Sequence, residues 1–302
     1  TATFSELEFF VLLNRLGSLS AAARALDITP PAATMRLASM EKRIGARLLN
    51  RSTRKISLTP EGELYLQHAS RLIEELRELD EVVSGNRRAP RGLLRVNVPL
   101  GFGRSVIAPL VSTFAAQFSE VEVLLEVTDR PIDLIAKGFD LAIRFGELPD
   151  TRLYARRIMS NRRFICASPA YLNRNGTPKT LADLARHRCI VHRQNDDAYG
   201  VWRFLIDGRT EIVKVHGALS SNDGDIVQGW ALDGQGIVIR SEWDVAKYLE
   251  SGRLRRILPE FAMPSADLYA YYPSKQNLPA RVRTFVDFLI EKFANQAQPP
   301  FN

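Results

Sequence analysis

The strongest chemical feature of this sequence is a cluster of cations near its N-terminal end. Residues 36–55 contain seven basic side chains and a single acid, Glu41. The seven are Arg36, Lys42, Arg43, Arg47, Arg51, Arg54 and Lys55. Guanidinium and ammonium groups at this density either bind the phosphates of a polyanion or form a solvated face. The elements that carry the cluster decide between these two interpretations.

A second group of residues suits a small organic anion. Its members lie at predicted strand ends in the C-terminal two thirds of the chain, and we take them as candidate ligand contacts: Leu100, Gly101, Phe102, Gly103, Thr128, Asp129, Arg144, Ser221, Asn222 and Arg240. Two predicted helices begin beside them, and a helix N-terminus attracts negative charge. Asp129 offers an acceptor to a ligand hydroxyl. The alternatives are that the arginines form structural ion pairs and that the glycines serve only turns.

Three helices and a hairpin are predicted for the segment that carries the basic cluster. The first helix ends at Gly17, a short alanine-rich helix follows Ser18, and a third starts at Thr29-Pro30 and ends at Gly45. The third helix has one apolar face, formed by Ala33, Leu37, Met40 and Ile44. Residues 50–58 predict a short basic hairpin. Two helices joined by a tight turn, with a basic second helix and a hairpin behind it, form a winged helix-turn-helix.

The amino-acid sequence of this segment is similar to that of a known family. The relevant runs are Gly17-Ser18-Leu19-Ser20-Ala21-Ala22, Thr29-Pro30-Pro31-Ala32-Ala33-Thr34, Met40-Glu41, Gly45, Leu48-Leu49-Asn50-Arg51 and Leu58-Thr59-Pro60-Glu61-Gly62. In this order they closely resemble the DNA-binding segment of LysR-type transcriptional regulators. The resemblance implies that double-stranded promoter DNA is the polyanion.

The same resemblance assigns contacts with DNA. Base edges in the major groove would be contacted by Pro30, Pro31, Thr34 and Met35, and phosphates by Arg36, Arg51 and Arg54. Because residues 30–35 contain no Asn, Gln or Arg, apolar contacts with thymine methyl groups and DNA shape are expected to contribute most of the specificity. For Met35 the alternative is plain packing inside the protein.

Residues 60–87 predict a long linker helix. Apolar side chains recur at alternating spacings of four and three, at Tyr65, Ala69, Leu72, Leu76, Leu79 and Val83. Such a narrow stripe is typical of a coiled-coil seam and predicts a homodimer or homotetramer. The alternative is a helix that lies on its own domain. The stretch from Ser84 to Pro90 then breaks the helix.

From Leu93 onward, predicted strands and helices alternate, which indicates a mostly parallel sheet covered on both faces. The resemblance continues here through Asp140-Leu141-Ala142-Ile143-Arg144, Cys166-Ala167-Ser168-Pro169-Ala170-Tyr171-Leu172 and Ala182-Asp183-Leu184-Ala185-Arg186-His187-Arg188-Cys189. It implies a periplasmic-binding-protein-like effector domain with two lobes and two crossings between them.

The sequence therefore predicts a multidomain chain. Residues 1–59 form the winged helix-turn-helix, 60–87 the coiled-coil linker and 88–302 the α/β effector-binding domain. Lobe I covers about 91–163 and 267–302, and lobe II about 164–266.

The predicted function is DNA binding that a small organic anion modulates, with RNA polymerase as a further partner. Two runs, Leu219-Ser220-Ser221-Asn222-Asp223-Gly224 and Arg240-Ser241-Glu242-Trp243-Asp244-Val245, look like a narrower branch that includes activators responding to D-malate and related hydroxydicarboxylic acids. Two alternatives stay open. One is a regulator driven by oxidation of Cys166 and Cys189, and the other is a cytosolic solute-binding α/β protein with an incidental basic N-terminus.

Composition excludes other classes. The chain has 302 residues, a net charge of +7 and two cysteines, so we expect a cytoplasmic protein of more than one domain, without a disulfide framework. No run approaches the ~20 apolar residues of a membrane helix. Ser39 and Lys42 match an acyl-enzyme pattern without its partner motifs, and His187, Cys189 and His192 lack a fourth metal ligand. We predict no enzyme, no metal and no cofactor.

Overall fold

The computed structural model describes residues 2–50, 57–83, 89–130, 133–146, 152–193, 200–273 and 278–296. The chain divides into two units, residues 1–88 and 89–302. The described helices and strands of the first unit are α1 (Phe4–Leu16), α2 (Leu19–Ala25), α3 (Pro30–Ile44), β1 (Leu49–Asn50), β2 (Ser57–Leu58) and α4 (Pro60–Val83).

Local capping chemistry sets the bounds of these helices. The side chains of Ser18 and Thr29 accept hydrogen bonds from backbone N–H groups in the first turns of α2 and α3. Gly17 and Gly45 adopt left-handed backbone angles, with φ of 64° and 78°, which glycine reaches without steric cost. The predicted helix bounds are confirmed at all four residues.

The first unit has one apolar core. It contains Phe9, Phe10, Leu13, Ala22, Ala23, Ala33, Leu37, Met40, Leu48 and Leu49. Ala22 and Ala23 are fully buried, and their small side chains let α2 and α3 lie close together. The antiparallel pairing of β1 with β2 confirms the two ends of the predicted hairpin, while residues 51–56 lie outside the described part of the chain.

Helix α4 has two different halves. In its first half, Ala69 is buried, and the Tyr65 ring packs edge-on against Phe10 at 5.2 Å. The prediction of one continuous seam is therefore wrong at its start, because Tyr65 packs against the core of its own unit and Ala69 is already buried. Further along, Leu72, Leu76 and Leu79 are exposed, and the side chain of Val83 lies outside the described set.

Lobe I of the second unit is built on a five-stranded sheet. The strands are β3 (Gly92–Val98), β4 (Val121–Val127), β5 (Leu141–Phe145), β6 (Tyr154–Met159) and β14 (Leu268–Tyr272). Their order in the sheet is β4-β3-β5-β14-β6. Its helical segments are α5 (Leu100–Phe102), a π-helical turn (Gly103–Ile107), α6 (Ala108–Gln117), α7 (Leu134–Lys137) and α11 (Ala280–Gln296). Phe114 of α6 packs against Phe285 of α11 in the main core of this lobe.

Lobe II is built on β7 (Arg163–Ala167), β8 (Val191–His192), β11 (Ser220–Ser221), β12 (Val238–Ser241) and β13 (Arg255–Ile257). A hairpin of β9 (Val201–Ile206) and β10 (Arg209–Lys214) covers one face together with α8 (Pro169–Asn175) and the 3₁₀ turn Leu181–Arg186. The other face carries α9 (Gly224–Leu232) and α10 (Glu242–Glu250).

The main sheet of each lobe is covered on two faces, as predicted, but neither is mostly parallel. The five-stranded sheet of lobe I is mixed, and the three-stranded sheet β12-β7-β13 of lobe II is antiparallel. Strand β14 runs antiparallel to β5 and β6, and β7 runs antiparallel to β12 and β13. The reason is the double crossing, since the chain leaves lobe I after β6 and returns as β14. The sequence reading also placed a strand at residues 213–216, where the structure has β10 at Arg209–Lys214.

The two crossings are tied to each other by hydrogen bonds. The Asn161 side chain donates to the Ser241 hydroxyl at 3.1 Å and to the Ala266 carbonyl at 3.0 Å, and its backbone N–H donates to Asp267 at 3.1 Å. Asn161 is buried, so these bonds hold the two crossing segments together between the lobes.

Candidate functional site

The first candidate site is the exposed side of α3. Pro30, Pro31, Thr34 and Met35 are all exposed there, Met35 by 73%. Plain packing of Met35, the alternative left open by the sequence, is therefore wrong. The Thr34 hydroxyl donates to the Pro30 carbonyl at 3.0 Å, so its oxygen is left as an acceptor for a base amino group.

Arg36 lies against helix α1. Its guanidinium stacks on the Phe9 ring at 5.1 Å and donates to the Ser5 hydroxyl. Stacking on a ring leaves other N–H groups of the guanidinium available for a phosphate. The other two predicted phosphate ligands, Arg51 and Arg54, lie outside the described residues.

The second candidate site is a cavity of about 350 Å³ between the lobes of the second unit. It has the size of a small-molecule site. Four of the predicted ligand residues line it, namely Gly101, Phe102, Asp129 and Arg240. The six that do not are Leu100, Gly103, Thr128, Arg144, Ser221 and Asn222.

Each of the two helix N-termini near the cavity is capped by a carboxylate of the protein itself. Asp129 accepts the N–H of Leu100 at 2.9 Å at the start of α5, and Asp223 accepts the N–H of Asp225 at 2.8 Å at the start of α9. The protein's own carboxylates thus accept from part of each helix N-terminus, and direct contact between these helices and a ligand stays a prediction. Ser221 in turn accepts the N–H of Asp223.

Others of the predicted residues serve the framework. Arg144 donates to the backbone carbonyls of Asn97 and Ile143 and to the Asn97 side chain, and burial lowers its pKa to about 10. A Cβ on Gly103 would lie 2.4 Å from Val98, so this glycine lets the helix approach the sheet. The Thr128 hydroxyl accepts the N–H of Arg130 at 3.1 Å.

The cavity also has residues that sequence reasoning missed. Among the described lining residues, Arg163, Arg193 and Arg203 accompany Arg240, and Asp129 is the one acid. The cavity is therefore basic and suits an anion. Arg163 donates to the Pro264 carbonyl at 3.0 Å while its buried Nε has no hydrogen-bond partner, and burial beside Arg203 lowers its pKa.

Two of these arginines, Arg163 and Arg203, could not be predicted from strand ends, because neither lies at the carboxyl end of a strand. Arg163 opens β7, and Arg203 lies within the β9–β10 hairpin. Both reach the cavity only through the packing of lobe II. An aromatic wall completes the site, where Phe102 contacts Phe145 at 5.0 Å and Trp243 at 4.9 Å.

Comparison with protein families decides the identity of the chain. Residues 4–63 match the bacterial regulatory helix-turn-helix protein, lysR family, and residues 87–294 match the LysR substrate binding domain. The chain belongs to the LysR family of transcriptional regulators. It is thus a DNA-binding regulator with an effector-binding domain and not an enzyme.

Full-length LysR relatives support this assignment. The regulator DmlR of Escherichia coli K12 is 38% identical over 96% of this chain and 94% of its own length. The activator TtdR of the same strain is 39% identical over 94% of this chain and 91% of its own length. The solved structure of CrgA, a LysR-type regulator from Neisseria meningitidis, is 31% identical with a TM-score of 0.61, covering 98% of this chain and all of that one.

The cysteines of this LysR-type regulator argue against a thiol switch. Cys166 and Cys189 are buried, and burial raises the pKa of each thiol to about 12. Strand β12 lies between them, because Cys166 pairs with Val238 and Cys189 bridges to Ile237. Two strand spacings amount to about 10 Å, which is too far for a disulfide.

In the part of the chain that the structure describes, no helix is both long enough and apolar enough to span a lipid bilayer.

Proposed function

We propose that this LysR-family regulator binds a small 2-hydroxydicarboxylate, of the D-malate and tartrate kind, in the cavity between its lobes. The observation that carries the proposal is the basic lining of the cavity, in which four described arginines face one acid. The subgroup resemblance of residues 219–224 and 240–245 supports the choice of ligand class.

The opposed charges of the two lobes explain the preference for a hydroxy acid. Asp129 belongs to lobe I and Arg240 to lobe II, and both line the cavity. Burial raises the pKa of Asp129, while Arg144 and Arg240 act in the opposite direction. A 2-hydroxy acid carries a hydroxyl beside a carboxylate, so it can donate to Asp129 while its carboxylate accepts from Arg240. Arg163 and Arg203 are suited to the second carboxylate.

Ligand binding acts by favouring one arrangement of the lobes over another. Arg104, in the π-helical turn of lobe I, pairs with Asp225 at 2.7 Å and Asp223 at 3.3 Å in lobe II. This ion pair joins the two lobes in the closed arrangement, and a ligand that contacts both lobes stabilises the same arrangement further. The change is transmitted to promoter DNA through the linker helix.

We further propose the roles of the remaining parts. Residues 1–59 read DNA through Pro30, Pro31, Thr34 and Met35, with phosphates bound by Arg36, Arg51 and Arg54. Residues 60–87 join the subunits of a homodimer or homotetramer through Leu72, Leu76 and Leu79, and residues 88–302 bind the effector. RNA polymerase is the expected partner at the promoter, in the cytoplasm.

Thermal melting of the full chain tests the ligand proposal. The panel is D-malate, L-malate, the tartrate isomers, succinate and benzoate. A ligand at about 100 times its Kd stabilises the protein by about 2.7 kcal/mol, so the midpoint should rise by several degrees with one hydroxydicarboxylate. The shift should vanish in Arg240→Lys and in Asp129→Asn. A shift with succinate equal to that with malate would contradict the role of Asp129, and no shift with any acid would refute the ligand class.

A further inference from the structure

We propose that Asp244, Gln228 and His192 are positioning residues that hold the guanidinium of Arg240 at the effector cavity. This inference rests on the proposed function, because it concerns how the cavity distinguishes a hydroxy acid from other acids. Of these three residues, His192 lines the cavity, whereas Gln228 on α9 and Asp244 on α10 do not.

Asp244 is the ion-pair partner of Arg240. The Arg240 Nε donates to Asp244 Oδ2 at 2.6 Å, and Nη2 forms an ion pair with the same carboxylate. Both side chains are only 7% exposed. A buried guanidinium is tolerated when a carboxylate accepts from it with good geometry, so the position of Asp244 on α10 determines where Arg240 points.

Gln228 holds Asp244 in turn. With its amide nitrogen facing the carboxylate, the side chain donates to Asp244 Oδ2 at 2.7 Å and Oδ1 at 2.9 Å. Gln228 is buried on α9. The carboxylate, itself on α10, thus accepts from helix α9 and from strand β12, which leaves it little freedom to rotate.

His192 fixes the other end of the guanidinium. Its Nδ1 lies 2.9 Å from Arg240 Nη1, and its Nε2 lies 3.2 Å from the Asn222 carbonyl. A guanidinium only donates and a carbonyl only accepts, so His192 must be neutral with its proton on Nε2. Burial and the charge of Arg240 agree with this, since they lower the pKa of His192 to about 4.

The backbone of α9 also passes close to Arg240. Together with Asp244, Gln228 and His192 it forms what we call the frame of Arg240. A Cβ on Gly224 would lie 2.3 Å from Arg240 Nη2, so the guanidinium runs directly beneath the first turn of the helix. Arg240 has five N–H groups, of which three are used by Asp244 and His192. The two that remain, one on Nη1 and one on Nη2, are the donors left for a carboxylate.

The consequence is selectivity. A ligand hydroxyl reaches Asp129 of lobe I only while the adjacent carboxylate is held at one place by Arg240 of lobe II. If the guanidinium were free to swing, it would still attract anions, but it would no longer favour the hydroxy acid over its deoxy counterpart. Framed in this way, Arg240 supplies orientation as well as charge.

The test compares Asp244→Asn and Gln228→Leu in the full chain with the control Asp140→Asn. Asp140 also accepts from a buried arginine, Arg281 at 3.4 Å, but it does not line the cavity. Calorimetric titration gives the Kd for D-malate and for succinate. Both frame variants should bind D-malate about tenfold more weakly and lose most of their preference over succinate, while the control keeps both values.

A purely structural role predicts a different result, in which midpoints of unfolding fall and the two acids weaken alike, and this would overturn the proposal. A nitrogen-15 NMR spectrum of His192 supplies a readout without ligand. The Nε2–H tautomer should be seen in the wild-type chain and be lost as the dominant form in Asp244→Asn.

The two proposals fail separately. If no acid binds the wild-type chain, the proposed function fails, and the positioning role then stands or falls with the tautomer measurement. If D-malate binds the wild-type and the frame variants equally well, the ligand assignment survives and the positioning role is refuted.

Discussion

Replacing Gly224 by alanine should displace Arg240 without replacing any charged residue. The added Cβ would lie 2.3 Å from Nη2, 2.7 Å from Nη1 and 2.8 Å from Cζ of Arg240. Ordinary van der Waals contact begins near 3.4 Å, so the guanidinium has to move by about 1 Å. A movement of this size takes its Nε, now 2.6 Å from Asp244, beyond hydrogen-bonding distance.

The size of the effect follows from the bond that is lost. A buried hydrogen bond to a charged group is worth about 1.5–3 kcal/mol, and removing a helical glycine returns roughly 0.5–1 kcal/mol. Gly224→Ala should therefore lower the free energy of unfolding by about 1–2 kcal/mol. In a unit of this size that corresponds to a midpoint about 3–6 °C lower.

Gly229→Ala on the same helix is the matched control. Nothing lies within 4 Å of its added Cβ, so it should be neutral or stabilise by up to about 1 kcal/mol. Urea unfolding followed by circular dichroism measures both variants, and calorimetry with D-malate measures binding. If Gly224→Ala were as stable as Gly229→Ala and bound D-malate normally, Arg240 would be mobile and the reasoning about its frame would be refuted.

Three further predictions concern other parts of the chain. Arg51→Ala and Arg54→Ala should each reduce the slope of log K against log salt for promoter binding by about 0.9, as measured by fluorescence anisotropy; an unchanged slope would exclude a phosphate contact. The pKa of His192 is lowered to about 4, so between pH 6.5 and pH 4 the unfolded chain binds a proton that the folded chain does not. The free energy of unfolding should therefore fall as the pH is lowered through this range, by at most about 1.4 kcal/mol per pH unit. In urea titrations, His192→Gln should flatten this pH dependence. Because burial raises the pKa of Cys166 and Cys189 to about 12, iodoacetamide should label neither thiol in the folded chain at pH 8, and rapid labelling seen by mass spectrometry would reopen the oxidation hypothesis.

Some helix ends and strands of this structure could be predicted from sequence, because they depend on local chemistry. The hydrogen bonds that cap a helix join residues three or four positions apart, so Thr29 and Gly45 mark the ends of α3 without reference to the rest of the fold. Strand β3 and strand β4 could be predicted for the same reason, since runs of apolar residues bounded by turn signals are local patterns. The family motifs of the first sixty residues are likewise contiguous.

The linker helix shows where such patterns stop. A heptad stripe states which side chains share a face, but it does not state what covers that face. Tyr65 and Leu72 occupy equivalent positions in the repeat, yet Tyr65 packs on Phe10 of its own unit and Leu72 is exposed. Only the packing of α1 against α4 separates them.

The sequence by itself determined the family, the helix-turn-helix and the presence of strand-end residues such as Asp129 and Arg240. Tertiary structure alone decided what those residues do. Asp129 caps α5, a contact across 29 positions, and Arg163 meets Arg203 through the packing of a hairpin on lobe II. The physical reason is that a site made by long-range contacts depends on how sheets and helices stack, and no local spacing records that arrangement.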